Sequence, residues 1–388
     1  MPDEAYTRLR EYLDKTPGGF PATESGVELK MLEKMFTPEE ARRTVQLRLF
    51  PEPAAVIAAR WGMPEEQAAS KLEDMARKGL IISIRSGKMI FYQATQYQIG
   101  FLEFQVDTID RELSEMALEF EKHLGDSVLK QHRVIPVGAA VDAATPISSY
   151  DKAREIIGKQ KQAAVATCIC KKEQGLMGNE CQKPHETCLS FGIGADHLVR
   201  IGKGREISIE EAYRIIDRAE ENAMILMPTN AKDIVHMCCC CSCCCALLRM
   251  LKAHDRPADF VHSAFQVKKD QELCSACGDC LERCQMEAIS EKDDTIEIDL
   301  ARCIGCGLCV SACSQHALSL VEKAAGPVPA NYLNMLSELA GERGLGFGKL
   351  NAVMKVTKLP FFVKMLPLMY KSGLAKPIVN MLAKRGWV

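Results

Sequence analysis

Between His236 and Lys252 the chain reads HMCCCCSCCCALLRMLK, with seven cysteines in the eight positions from Cys238 to Cys245. Nothing structural requires such a run. The chain holds 19 cysteines in 388 residues, too many for an ordinary enzyme of a reducing compartment. It is also far too long to depend on the disulfide staples of a small secreted scaffold. The start, MPDEAYTRLREYL, is charged and has no apolar stretch behind a basic one, so no secretory signal peptide is expected. No run of about 18 apolar residues predicts a membrane-spanning helix. Thiols kept reduced in this number point to metal, and the expected location is cytoplasmic.

Cysteine is absent before Cys168 and after Cys313, which divides the chain into a metal-free head, a cysteine-rich middle and a tail. The expected fold class is α+β and multidomain. Residues 1–100 form one domain, 101–133 a connecting helix, 134–262 a cysteine-rich α/β domain, 263–323 a second cysteine-bearing domain and 324–388 a basic helical tail. Charge is uneven across these parts. From Asn331 onward there are nine Lys/Arg against Glu338 and Glu342, a net +7, which leaves −9 for residues 1–330 out of a total of −2.

The head reads helix, helix, helix, hairpin. Thr37, Pro38 and Glu40 supply a hydroxyl cap, a first-turn proline and a glutamate able to reach back. A second helix runs from about Pro53 to Gly62, and a third opens at Pro64 and ends at Gly79. LIISIRSGKMIFYQA then alternates about Ser86-Gly87 as a two-stranded hairpin should. This order resembles a winged helix. Glu65, Glu66 and Gln67 stand where base contacts would be made, and residues 1–100 hold 14 Lys/Arg and 14 Asp/Glu, so nucleic acid is not the expected partner. FLEFQVDTIDRELSEMALEFEKHL follows with apolar residues at helical spacing, which predicts a long helix serving as core or as a dimer seam.

The most specific signal is CSACGDCLERC, 18 residues, then CIGCGLCVSAC. Both halves have C-x2-C-x2-C-x3-C spacing, and the second repeats the first at an offset of 29, with Ala288-Ile289 recurring as Ala317-Leu318. The segment resembles the bacterial two-cluster ferredoxin. The resemblance implies that Cys274, Cys277, Cys280 and Cys313 hold one 4Fe-4S cluster, and Cys303, Cys306, Cys309 and Cys284 a second, because in that family the fourth cysteine of each run crosses to the other cube. Each cube with its four thiolates carries −2, adding to the acidity of the body. Gln285 and Ser314 stand where the family usually has proline. Two structural zinc sites are the competing reading, disfavoured because zinc knuckles usually come as paired C-x2-C.

Eleven cysteines lie upstream. AAVATCICKK predicts a buried strand delivering Cys168 and Cys170, followed by Cys181 and Cys188. Ser208 to Glu211 reads as a capping box opening an amphipathic helix, and MILMPT as a strand. If the polycysteine run were helical, Cys238, Cys241 and Cys245 would share one face and Cys240, Cys243 and Cys244 another. The run resembles those of multi-cluster iron–sulfur proteins in which this cysteine is lacking, which implies that Cys239 is the member least expected to bind metal. These thiols suit one or two additional iron–sulfur clusters, either cubes or one larger non-standard cluster, with a zinc or copper(I) store as the alternative. His185, His197 and His236 lie among them and are expected to be hydrogen-bonded rather than ligating. The arrangement over residues 134–320 resembles a group of multi-cluster iron–sulfur proteins of anaerobic microbes, which implies electron transfer and no named substrate.

The tail FFVKMLPLMYKSGLAKPIVNMLAKRGWV punctuates apolar residues with lysine, which suits packing on its own domain or, less well given Pro360, Pro367 and Pro377, an anionic membrane surface. No phosphate loop and no dinucleotide fingerprint stands out; GIGADH and GLGFG match only fragments. The leading expectation is an electron-transfer protein or reductase subunit with a redox partner protein. The alternatives are a redox- or oxygen-sensing regulator and catalysis at a non-cubane cluster.

Overall fold

The computed structural model describes residues 3–140 and 151–345 and mixes helix with sheet, as the α+β expectation requires. It falls into two compact units, Met1–Phe104 with Leu333–Val388, and Gln105–Tyr332.

In the first unit the helices Pro38–Thr44, Ala54–Trp61 and Glu65–Arg77 precede a hairpin of Ile81–Ser86 with Met89–Ala94. Thr37 and Glu40 form the reciprocal cap read from the sequence, with Thr37 Oγ1 accepting from the Glu40 amide and Glu40 from the Thr37 amide at 2.8 Å. Ser86 pairs with Met89, so Gly87 and Lys88 make the turn. Glu52–Pro53 adds a short third strand against Tyr92 and Phe91. The core gathers Leu9, Leu13, Met31, Leu72 and Phe91, with Phe20, Tyr97 and Phe101 in edge contact at 5.3–6.1 Å between ring centres. Arg343, after the helix Tyr332–Glu342, pairs with Asp14 at 3.2 Å. The basic stretch expected to form an amphipathic tail lies mostly outside the described residues.

The long helix expected after Phe101 is shorter than its periodicity suggests. The α-helix runs Arg111–Glu121, because the Asp110 carboxylate accepts from the Leu113 amide at 2.9 Å and fixes the start there.

The second unit is built on a five-stranded antiparallel sheet in the order Arg205–Ile207, Ala163–Thr167, Glu186–Phe191, His236–Cys240, Ile225–Pro228. Ala163–Thr167 is apolar and buried until Thr167 and hands the chain to Cys168, the N-cap of the helix Ile169–Leu176. Ser208 caps Ile209–Glu221 by accepting from the Glu211 amide at 3.1 Å, and Ala212, Ile215, Ile216 and Ala219 give that helix its buried face. Phe265–Lys269 pairs with Leu318–Glu322 across the ends of the cysteine repeat, and Ile289–Lys292 forms a hairpin with Thr295–Ile298.

Candidate metal centres

The two halves of the repeat fold alike. Gly278 at φ +86° leads into the helix Asp279–Arg283, which ends at Cys284; Gly307 at φ +78° leads into Leu308–Ala312, which ends at Cys313. A left-handed residue at both starts turns the chain sharply enough to place three cysteines on one loop. Cys313 of the second run lies near Cys280 of the first, and Cys284 of the first near Cys306 of the second, the proximity that crossed ligand sets require. Burial pushes the Cys280 thiol up to about 11 and Cys306 up to about 12. Such groups ionise readily only when a cation compensates them, which is what cluster iron supplies.

Cys284, Cys303, Cys306 and Cys309 together line a cavity closed by Ile289, Ile304 and Leu320. Cys284 Sγ accepts from the Ala288 amide at 3.2 Å, the kind of N–H···S bond that stabilises a thiolate on a cluster. Cys277 is exposed and Cys274 half-buried, so the first set lies toward solvent and the second within. The residues fit two 4Fe-4S cubes: eight thiols in two runs, and a cavity lined by four of them.

The polycysteine run is not helical. His236–Cys240 is a strand, residues 242–244 turn, and a helix begins only at Ala246 with Cys245 as N-cap. The helical division of these thiols is therefore corrected. In the strand, side chains alternate, so Cys238 and Cys240 face one side of the sheet and Cys239 the other, across from Leu226. Cys239 is buried, and that burial raises its thiol well above the ordinary value.

Two groups result. Cys188 lies opposite Cys238 on the neighbouring strand, and a continuous run of thiol contacts links Cys188, Cys238, Cys240, Cys245, Cys170 and Cys168. Within it, Cys188 and Cys240 hold the Cys238 thiol low, and Cys170 and Cys240 do the same for Cys245. The second group is Cys181, Cys241, Cys243 and Cys244, whose sulfurs all lie within 4.8 Å of one another. Cys241 is lowered to about 5, first by Cys244 and also by Cys243, the Lys171 ammonium and Cys181.

Histidines ring these thiols without joining the compact group. His185 Nε2 donates to the Cys181 carbonyl at 2.9 Å. His236 is buried, Nε2 to Nε2 at 2.9 Å from His132, and Thr229 Oγ1 lies 3.1 Å from its Nδ1. Burial and the neighbouring His132 depress His236 to about 3, so it is neutral. His197 is buried in the helix Ile193–Arg200. The sequence offered no signal for His132, which lies against Cys238 although 106 residues separate them. It offered none for Lys171 either, a cation only 1% exposed that donates to the Pro184 carbonyl.

Gln285 did carry a signal, as the residue in the place of the usual proline. Its Oε1 accepts from both the amide and the hydroxyl of Ser242, each at 2.9 Å. Ser242 sits inside the polycysteine turn and Gln285 directly follows Cys284. Arg283 donates to the carbonyls of Glu220 and Glu221 at 2.7 and 3.0 Å, and Arg302 to those of Lys252 and His254, both at 3.1 Å. The segment carrying the cysteine repeat is thus bonded to the helices of the same unit at both Arg283 and Arg302.

No helix among the described residues is long and apolar enough to cross a membrane. No curated protein and no solved structure matches the chain. Residues 273–318 match the model of the 4Fe-4S dicluster domain family. With that match spanning both cysteine runs in a chain of 19 cysteines, the chain is an iron–sulfur protein.

Proposed function

We propose that the protein is an electron-transfer protein or reductase subunit in which the dicluster segment passes single electrons to a further iron–sulfur centre held by the polycysteine region. The observation that carries this reading is the pair of hydrogen bonds from Ser242 to Gln285, which joins the residue after Cys284 to the turn between Cys241 and Cys243. The cubes supply one-electron chemistry when bound. Cys277, exposed, marks the face toward a redox partner protein, and the buried set with Cys284 faces inward. Cys168, Cys170, Cys188, Cys238, Cys240 and Cys245 hold the further centre. Neutral His236 lies beside Cys238 and adds no charge to its surroundings.

The head serves, on this reading, as a winged-helix-like docking module rather than a DNA reader. Glu65 and Glu66 open its third helix on the surface, Lys71 pairs with Glu39 at 2.9 Å and Lys78 with Glu40 at 2.6 Å, which leaves little basic footprint for phosphate. An anaerobic, cytoplasmic setting suits thiolate-held clusters near the surface.

Replacing Gln285 with alanine tests the route. The variant should keep its iron, lose about 1–3 kcal/mol of docking from two hydrogen bonds, and slow the appearance of upstream paramagnetic signals after rapid reduction of the dicluster segment. An unchanged rate would remove this contact from the path.

A further inference from the structure

Among the described residues, Cys181, Cys241, Cys243 and Cys244 are the one set of three or more ligand groups whose donor atoms all lie within 4.8 Å of one another. Cys181 Sγ is 3.8 Å from Cys241 Sγ and 3.9 Å from Cys243 Sγ, and Cys243 Sγ is 3.6 Å from Cys244 Sγ. A tetrahedral ion bound by four thiolates at about 2.3 Å places the sulfurs about 3.8 Å apart along each edge. A cube does not, because each thiolate sits on a different iron and the four are spread outward to roughly 6 Å. The dicluster cysteines provide the comparison inside the same molecule: neither of their sets closes to the 4.8 Å limit.

We infer that Cys181, Cys241, Cys243 and Cys244 hold a single metal ion in a mononuclear four-thiolate site, separate from any cluster held by Cys168, Cys170, Cys188, Cys238, Cys240 and Cys245. The surroundings suit that charge. A divalent ion with four thiolates carries −2, and the Lys171 ammonium, buried and reaching the Pro184 carbonyl, lies within electrostatic reach of Cys241. Arg249 donates to the Cys244 carbonyl and is held in turn by Glu121. The site also has structural work to do. Cys181 stands in the irregular stretch between the helix Ile169–Leu176 and the strand Glu186–Phe191, and the ion would tie that stretch to the turn after His236–Cys240, 60 residues away. Zinc and mononuclear iron share this chemistry.

The site involves none of the dicluster cysteines, and it shares with the electron-transfer reading only the turn around Ser242, which Cys241 and Cys243 flank. Its test is metal and acid-labile sulfide analysis of the full chain purified without oxygen, for the native protein and for Cys243→Ser, chosen because Cys243 is exposed. The expected native protein carries one zinc, with four sulfurs at about 2.3 Å by X-ray absorption at the zinc edge, or one iron in excess of sulfide with a mononuclear high-spin ferric resonance on oxidation. Cys243→Ser should lose that one atom and no sulfide. Loss of iron together with sulfide would make the four thiols part of a cluster and overturn the inference. A native protein with neither zinc nor excess iron would overturn it as well, and that measurement stands even if the variant does not fold. Loss of dicluster iron in the native protein would bear on the electron-transfer reading alone.

Discussion

Gly305→Ala is expected to cost the protein its inner cube, about four irons and four sulfides, while the outer cube survives. Gly305 lies between Cys303 and Cys306 at φ +68°, where a Cβ would stand 2.1 Å from the Phe265 carbonyl oxygen and 2.6 Å from Ser263 Oγ. The first contact is with backbone, which cannot swing aside as a flexible side chain can. The left-handed conformation adds a cost on the order of 1–2 kcal/mol for any residue with a Cβ. Relief requires the loop to move away from Phe265, and the loop carries three of the four inner ligands, Cys303, Cys306 and Cys309. Iron and sulfide counts check the result, and retention of all eight irons would show that the loop does not need this close approach.

Arg133→Ala is expected to destabilise the second unit by about 3–5 kcal/mol, read as a shift in denaturant midpoint under anaerobic conditions. The Arg133 side chain is fully buried; its Nη1 donates to the Thr229 carbonyl at 3.0 Å and its Nε lies 3.5 Å from the Asp151 carboxylate. Its backbone amide donates to Pro228 and the next amide, of Val134, to His262, so the residue joins the edge strand Ile225–Pro228 to the segment entering the dicluster domain. Removing the guanidinium leaves the Asp151 carboxylate, 4% exposed, without its counter-charge. Uncompensated burial, rather than lost attraction, dominates the cost, so Arg133→Met combined with Asp151→Asn should recover most of it. A single variant as stable as the native chain would show that Asp151 is protonated in the fold.

Local chemistry was legible in the sequence where a few neighbouring residues decide the outcome. Thr37 and Glu40 form their reciprocal cap, Ser208 accepts from the Glu211 amide as one half of the expected box, and the hairpin forms with its turn one residue on, at Gly87-Lys88. The dicluster repeat was legible for the same reason, since three cysteines on one loop specify a cube corner. The polycysteine run was not, because its spacing fits several periods and only strand pairing decides among them: Cys188 opposite Cys238 and Ile225 opposite Cys240 fix the run as strand followed by turn. Grouping Cys181 with Cys241, and His132 with His236, depends on how distant segments meet, which no local pattern encodes. The Phe101 to Leu124 stretch shows the opposite error, where regular apolar spacing suggested one long helix and the Asp110 cap confined it to Arg111–Glu121.

The central claim is that electrons entering the dicluster segment find a further iron–sulfur centre, beyond its two cubes, beside the five-stranded sheet. Counting iron and acid-labile sulfide per chain after anaerobic purification tests this most directly. The account predicts more than eight irons with sulfide also above eight, because the two cubes of the dicluster segment account for eight of each and Cys168, Cys170, Cys188, Cys238, Cys240 and Cys245 hold more. Eight or fewer of either would contradict it.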